Sequence, residues 1–330
     1  MDTKFLPTHQ RRMPRFDKTF GVAESQVLGA MDAAGDDIPY QKPEVGLALP
    51  GVGLVRDHVP VRLRDPFGSG REVTLPVSLQ MLTEVPADKR GIHTSRIGSL
   101  LAESVQEVHG SLQEYAHTLA TRLSTAEYGG DATVTARGTL TYLERVEGWK
   151  DDKDKTSLEH LDLHASATLR GGHWSTSAGF GFNHITACPC VQQTYKHALQ
   201  QAKGDVSAAL AQVAPLLTHS QRCQSRVTLH QLPGPLPFLR VFEAVDDVVY
   251  RVQNTLPREF ELHLVYRAHR KPQFIEDAAR QMAAAVARAL GPEFEGSRLG
   301  LHSTSMESIH DFDIVSELDL PLTALWKVLG

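Results

Sequence analysis

Two cysteines stand two residues apart in Thr186-Ala187-Cys188-Pro189-Cys190, and the third, Cys223, directly follows His219-Ser220-Gln221-Arg222. A Cys-Pro-Cys triplet is too tight for an easy disulfide, because its side chains do not readily reach disulfide geometry. Unbridged neighbouring thiols serve metal ligation, reactivity or packing. Pro189 fixes the local backbone at the point where an alternating strand breaks into a loop, and strand ends carry function more often than strand middles. The two thiols are therefore read as having different roles, one toward a metal and the other toward a substrate.

Other residues could join them. His219 precedes a strand. Glu261 falls on the polar side of an alternating run, beside His263 and Arg267. Glu276 opens a helix after Lys271-Pro272, and Glu307 and His310 lie in a polar connection between two late strands. Each has an ordinary structural explanation: a packed imidazole, a solvated carboxylate, an acid at a helix N-terminus, a hairpin loop. Together they offer a thiolate, an imidazole and a carboxylate. That set suits Zn²⁺ with an open position for water, and the carboxylate also accepts Mn²⁺ or Fe²⁺. Metal-bound water ionises near neutral pH and becomes a hydrolytic nucleophile. Lys89, Arg90, His93, Ser95 and Arg96 form the best basic cluster for an anion, just ahead of a helix whose first amides favour negative charge. The chain has no His-Glu-x-x-His pattern and no phosphate-cradling glycine loop of the Walker or Rossmann kind.

The elements that must position these residues follow from periodicity. Val59, Val61 and Leu63, then Val73, Leu75, Val77, Leu79 and Met81, alternate around a Pro-Phe-Gly-Ser-Gly turn and read as a hairpin. Ile97 to Leu123 keeps helical spacing throughout. Leu161 to Leu169 and Trp174 to Phe182 are strands joined by Gly171-Gly172. Gln193–Leu217 reads as helix broken at Gly204-Asp205, Arg226–Leu232 as strand, and Phe238–Val252 as helix. Phe260, Leu262, Leu264 and Tyr266 alternate like a strand, Ile275–Ala289 is an amphipathic helix, and strands near Leu299–Ser303 and Phe312–Leu320 finish the chain. Val22–Ala33 is a short helix within an N-terminal arm. Short turns between long alternating strands favour antiparallel pairing, so the fold class is α+β, antiparallel sheets backed by helices.

The chain's 330 residues allow two modest domains or one large one. The division expected is an arm at 1–50, a first unit at 51–170 and a second at 171–330 that carries the Cys-Pro-Cys site. Three cysteines fit a reducing compartment better than a disulfide framework. With no long apolar run and no secretory leader pattern, a cytoplasmic protein without membrane association is expected. A formal charge of −5 argues against a general nucleic-acid binder but leaves room for an anionic small substrate at a local basic cluster.

Five ordered motifs then carry a family resemblance. Arg90-Gly91-Ile92-His93-Thr94-Ser95-Arg96, Thr186-Ala187-Cys188-Pro189-Cys190, His219-Ser220-Gln221-Arg222, Pro272-Gln273-Phe274-Ile275-Glu276-Asp277 and Glu307-Ser308-Ile309-His310 resemble the type IB GTP cyclohydrolase family, from about residue 50 to residue 318. The resemblance implies a tunnelling fold of two tandem modules, assembled as a homotetramer with intersubunit sites. It also implies conversion of GTP and water to 7,8-dihydroneopterin triphosphate and formate, the entry to folate-type pterins and queuosine. One divalent metal per site (Zn, Mn or Fe) falls to Cys188, His219 and Glu261. Cys190, His310 and Glu307 match the catalytic positions, Glu276 the guanine anchor, and Arg90, His93, Ser95 and Arg96 are candidates for the triphosphate.

The chain departs from the family pattern in the long Cys190–His219 interval, in Val191-Gln192-Gln193, in Leu264-Val265-Tyr266 and in Asp311-Phe312-Asp313. A tunnelling-fold reductase with a cysteine nucleophile, or a non-catalytic metal- or purine-binding protein, are the alternatives. The archaeal branch, whose product is a cyclic phosphate, leaves the form of the product open.

Overall fold

The computed structural model describes residues 38–146, 155–201 and 217–330, with a few isolated positions before residue 38. In chain order the elements are β1 (Leu49–Arg64), β2 (Glu72–Val85), α1 (Thr94–Ser104), β3 (Val108–His109), α2 (Leu112–Ala126), β4 (Ala132–Val146), β5 (Lys155–Arg170), β6 (His173–Ala187), α3 (Pro189–Gln201), β7 (Ser220–His230), α4 (Phe238–Asp246), β8 (Tyr250–Arg251), α5 (Arg258–Arg270), α6 (Ile275–Ala289), β9 (Arg298–Met306), β10 (Asp313–Pro321) and α7 (Leu322–Leu329). The expected helix at Val22–Ala33 lies largely outside the described residues, as does the chain beyond Gln201 in the expected Gln193–Leu217 helix.

One large mixed sheet runs in the order β10-β9-β7-β6-β5-β4-β2-β1-β3, with β8 beside β6. Its long strands pair antiparallel, as the short turns imply, and the short β3 joins β1 in parallel. Period-two patterning decides which side the helices cover. Leu161, Leu163, Ala165 and Ala167 are buried under helix α2, whose own stripe of Tyr115, Ala116, Leu119, Ala120 and Leu123 packs down on them. The alanines let the helix approach closely. Polar residues occupy the other face, where His164 reaches across β6 to place its Nε2 2.8 Å from the Thr228 hydroxyl. That crossing requires Gly179 between them, because a Cβ there would sit 1.9 Å from the Val227 carbonyl oxygen and 2.7 Å from the imidazole.

Three readings need correction. The helical spacing from Ile97 to Leu123 is two helices, parted where Val108–His109 pairs with Arg62–Leu63. The local signal is Ser111-x-x-Glu114: the Ser111 hydroxyl accepts from the Glu114 amide at 3.1 Å, and the Glu114 carboxylate from the Gly110 amide at 3.0 Å. The helix from Phe238 stops at Asp246, because Tyr250–Arg251 turns in to pair with His184–Ile185 and buries the Arg251 side chain against Glu144, Asp246 and Tyr142. Phe260–Tyr266 is helix, not strand. Phe260, Leu264 and Ala268, spaced by four, make its inward stripe, while Leu262, Val265 and Tyr266 stay 68, 48 and 41% exposed. Helix α7, which periodicity does not announce, is tied to α6 by the Trp326 indole, which donates to the Ala287 carbonyl at 2.7 Å.

Candidate functional site

The antiparallel register of β6 and β7 brings Cys188 and His219 together. Ala187 pairs with Ser220, the Cys188 amide donates to the His219 carbonyl at 3.0 Å, and the Thr218 hydroxyl donates to the Cys188 carbonyl at 2.7 Å. Cys188 is half-buried. Cys190 is exposed in the first turn of α3, which begins at Pro189, a residue suited to a helix start.

Two more motifs arrive at the same strand ends. An isolated bridge joins Ala187 to Gln273, so the segment entering α6 lies beside Cys188. The Asp277 carboxylate accepts from the Phe274 amide at 3.2 Å, and Glu276 is exposed in that first helical turn. From the other side, β9 delivers Glu307 and Ser308: the His219 Nδ1 stands 3.2 Å from the Ser308 hydroxyl, and the Ser305 hydroxyl donates to Glu307 Oε1 at 2.8 Å. His310 is exposed and stacks on Phe312, ring centres 5.0 Å apart.

Beneath this end the core turns polar. Cys223 Sγ lies 3.3 Å from the Thr186 hydroxyl, and burial pushes its thiol pKa up against hydrogen bonds from Thr186 and Ser305. Gln221, 8% exposed, has no hydrogen-bond partner for its Oε1 among the described residues. Gln221, Gln273, Ser305 and Ser308 are thus placed at the site although sequence reasoning assigned them no role. Polar residues at positions that should face the core, as Gln221 and Ser305 do on alternating strands, were the available signal.

Two groups of expected residues lie elsewhere. Glu261 sits on the exposed first turn of α5, not on a strand. That helix ends at Arg270, beside the Cys188 end, so Glu261 stands nine residues back, about 13 Å along the axis. Among the described residues no three His, Cys, Asp or Glu side chains stand together as a metal would need. The backbone pairing sets Cys188 beside His219, and no three-donor group forms there among the described residues.

The basic loop belongs to the opposite end of the sheet. His93 is buried with its Nδ1 3.3 Å from Glu127, a carboxylate with a fully buried side chain that also accepts from the His93 amide. Tyr40 packs on the His93 ring, and Arg96 donates to the Tyr40 hydroxyl at 3.1 Å. Arg90 lies 3.4 Å from Gln41, and Ser95 is exposed. Glu127 closes α2 beside Asp131, whose carboxylate accepts from the Gly171 amide at the β5–β6 turn. Strand β6 then runs fifteen residues away from that turn before reaching Cys188, on the order of 45 Å of extended chain.

No helix among the described residues is long and apolar enough to cross a membrane. The sequence profile described as "Type I GTP cyclohydrolase folE2" matches residues 36–316. The chain is 27% identical over 309 residues to the GTP cyclohydrolase MptA of Thermoplasma acidophilum, covering 88% of this chain and 97% of that protein. It is 25% identical over 300 residues to its namesake in Thermoplasma volcanium, with coverage of 89 and 98%. Among solved structures, the uricase of Arthrobacter globiformis overlays 83% of this chain and 94% of its own at a TM-score of 0.46 and 8% identity, too loose a likeness to build on. With four of its five motifs gathered or anchored as described and its profile matched over most of its length, the chain belongs to the type I GTP cyclohydrolase folE2 family and is an enzyme acting on GTP.

Proposed function

We propose that this is a type IB, metal-dependent cyclohydrolase that converts GTP and water to 7,8-dihydroneopterin triphosphate and formate in the cytoplasm. The single observation that carries the site is the convergence of Cys188, His219, the Gln273–Glu276 segment and Glu307–Ser308 at one end of β6, β7 and β9. The hairpin–helices–hairpin order of β1-β2-α1-α2-β4-β5, repeated in β6-β7-α4-α6-β9-β10, supports tandem tunnelling-fold modules, with the division at Gly171-Gly172.

The basic loop and the cysteine end lie too far apart in one chain to touch one nucleotide. Two copies sharing each site, as in a homotetramer, would unite them. The same sharing is the route by which Glu261 would join Cys188 and His219 around one divalent ion (Zn, Mn or Fe). The exposed Leu262, Val265 and Tyr266 beside it are suited to a subunit contact. When bound, such an ion lowers the pKa of water into the neutral range.

The chain's own groups supply the rest. Glu276 accepts the two guanine N–H groups that lie side by side, a bidentate contact that orients C8. Water adds at C8, His310 protonates the imidazole nitrogen as the ring opens, and a second hydration releases formate. Glu307, oriented by Ser305, and the exposed thiol of Cys190 move the remaining protons. The ribose portion then rearranges and closes as the pterin with loss of one water, so that one water is consumed overall. Arg90, His93, Ser95 and Arg96 hold the triphosphate. Incubating the protein with GTP and following formate together with the ³¹P spectrum of the product tests the proposal. Formate with three linked phosphorus signals supports it; a cyclic phosphate or no formate overturns the stated product.

A further inference from the structure

A cavity of about 970 Å³ opens at the other end of β6 from Cys188, with walls from both halves of the chain. Gly179, the lining residue of β6 nearest Cys188, precedes it by nine residues, on the order of 30 Å of strand, so the cavity is separate from the cysteine end. We infer that it is a binding site for a small organic anion with a planar apolar body. Its volume suits such a ligand, and its surface is mostly apolar, with Leu163, Ala178, Leu232 and Phe238 among the lining residues. Trp174 and His117, ring centres 4.3 Å apart, add an aromatic wall for a flat ring.

The wall is preformed. The loop into α4 carries Pro233, Pro235 and Pro237, and Gln113, 7% exposed, pins it from the other half. The Gln113 amide donates to the Gly234 carbonyl at 3.0 Å and to the Thr176 hydroxyl at 3.3 Å, and accepts from the Leu236 amide at 2.9 Å. The charges left to meet a ligand are cationic. The two acids in the lining keep their charge but are held toward the backbone and a hydroxyl: Asp65 accepts from the Phe67 amide at 3.0 Å and from the Ser69 hydroxyl, and Glu114 from the Gly110 amide at 3.0 Å. Arg64 and Arg240 hold only loose, exposed partners, Glu72 at 3.7 Å and Glu293 at 3.5 Å, and are free to turn to an anion.

Anilinonaphthalene sulfonate is the probe, titrated by fluorescence and calorimetry into the full-length protein, with and without saturating GTP. The expected result is one saturable site per chain, undisturbed by GTP. Trp174→Ala and Arg240→Ala should each weaken binding about tenfold with GTP turnover unchanged. Ala178→Phe, which puts a phenyl ring into the apolar wall, should weaken binding at least as far. Competition by GTP would show that the cavity belongs to the substrate site. Binding that is non-saturable, or indifferent to all three substitutions in folded protein, would show that the probe sits elsewhere. Either result overturns the inference.

Discussion

If each site draws its cysteine end from one chain and its basic loop from another, two defective variants should repair each other. Cys188→Ser removes the thiol at the end of β6; Arg96→Ala removes a cation from the loop beside Tyr40 and His93. The fifteen residues of β6, on the order of 45 Å, separate the two ends of one chain. Neither variant alone should turn over GTP at more than a few per cent of the parent rate, because every site lacks one part. Co-expressed in equal amounts and assembled at random, half of all pairs combine one chain of each kind. Each such pair holds one intact site of two, so activity should recover to about a quarter of wild type. Formate release per chain is the assay, with each variant's circular dichroism confirming its fold. Recovery no greater than the average of the two single variants would refute intersubunit sharing and return the site to one chain.

Four further outcomes follow from particular contacts. Ser305→Ala removes the hydroxyl that donates to Glu307 and should lower kcat about tenfold with KM little changed, measured by steady-state turnover. His184 and His164 are both held down to about 4, each chiefly by burial; Arg226, Arg137 and His230 add to it at His164, and a backbone hydrogen bond at Ile185 opposes it at His184. An unfolded histidine near 6.5 binds a proton that the folded one refuses, so stability is whole above pH 6.5 and falls toward pH 4. Urea unfolding at pH 7 and pH 5 should differ by roughly 2 kcal/mol for each, and His184→Gln should remove one share. Arg251→Met leaves Glu144 and Asp246 without their cation and should cost about 1–3 kcal/mol in chemical denaturation, because both carboxylates keep some access to water. Gly179→Ala drives a methyl into the Val227 carbonyl and should lower stability by about 1–3 kcal/mol, read as a fall in Tm.

The strands were legible because one sheet face is buried and the other polar, so the strands within Val59 to Met81 and Leu161 to Phe182 alternate on either side of a glycine-bearing turn. Alternation failed at Phe260–Tyr266 because residues spaced by two also contain the spacing of four that a helix buries, and the helix leaves Leu262 in the open. The Cys188–His219 adjacency follows from the register of β6 with β7. Glu127 gave no local sign at all. Its partner His93 lies thirty-four residues earlier, and only the packing of α2 against the loop makes the pair. That the basic loop and the thiols occupy opposite ends of the sheet is likewise a property of strand order.

The central claim is that the end of β6 is the metal-dependent catalytic centre. Protein stripped of metal should be incubated anaerobically with GTP and Zn²⁺, Mn²⁺ or Fe²⁺, following formate and pterin fluorescence alongside bound metal, for wild type, Cys188→Ala and His219→Ala. The account predicts one ion per chain and both products in the wild type with at least one metal, and loss of ion and products together in either folded variant. Full turnover by either variant, or by metal-stripped wild type with no metal added, would contradict it.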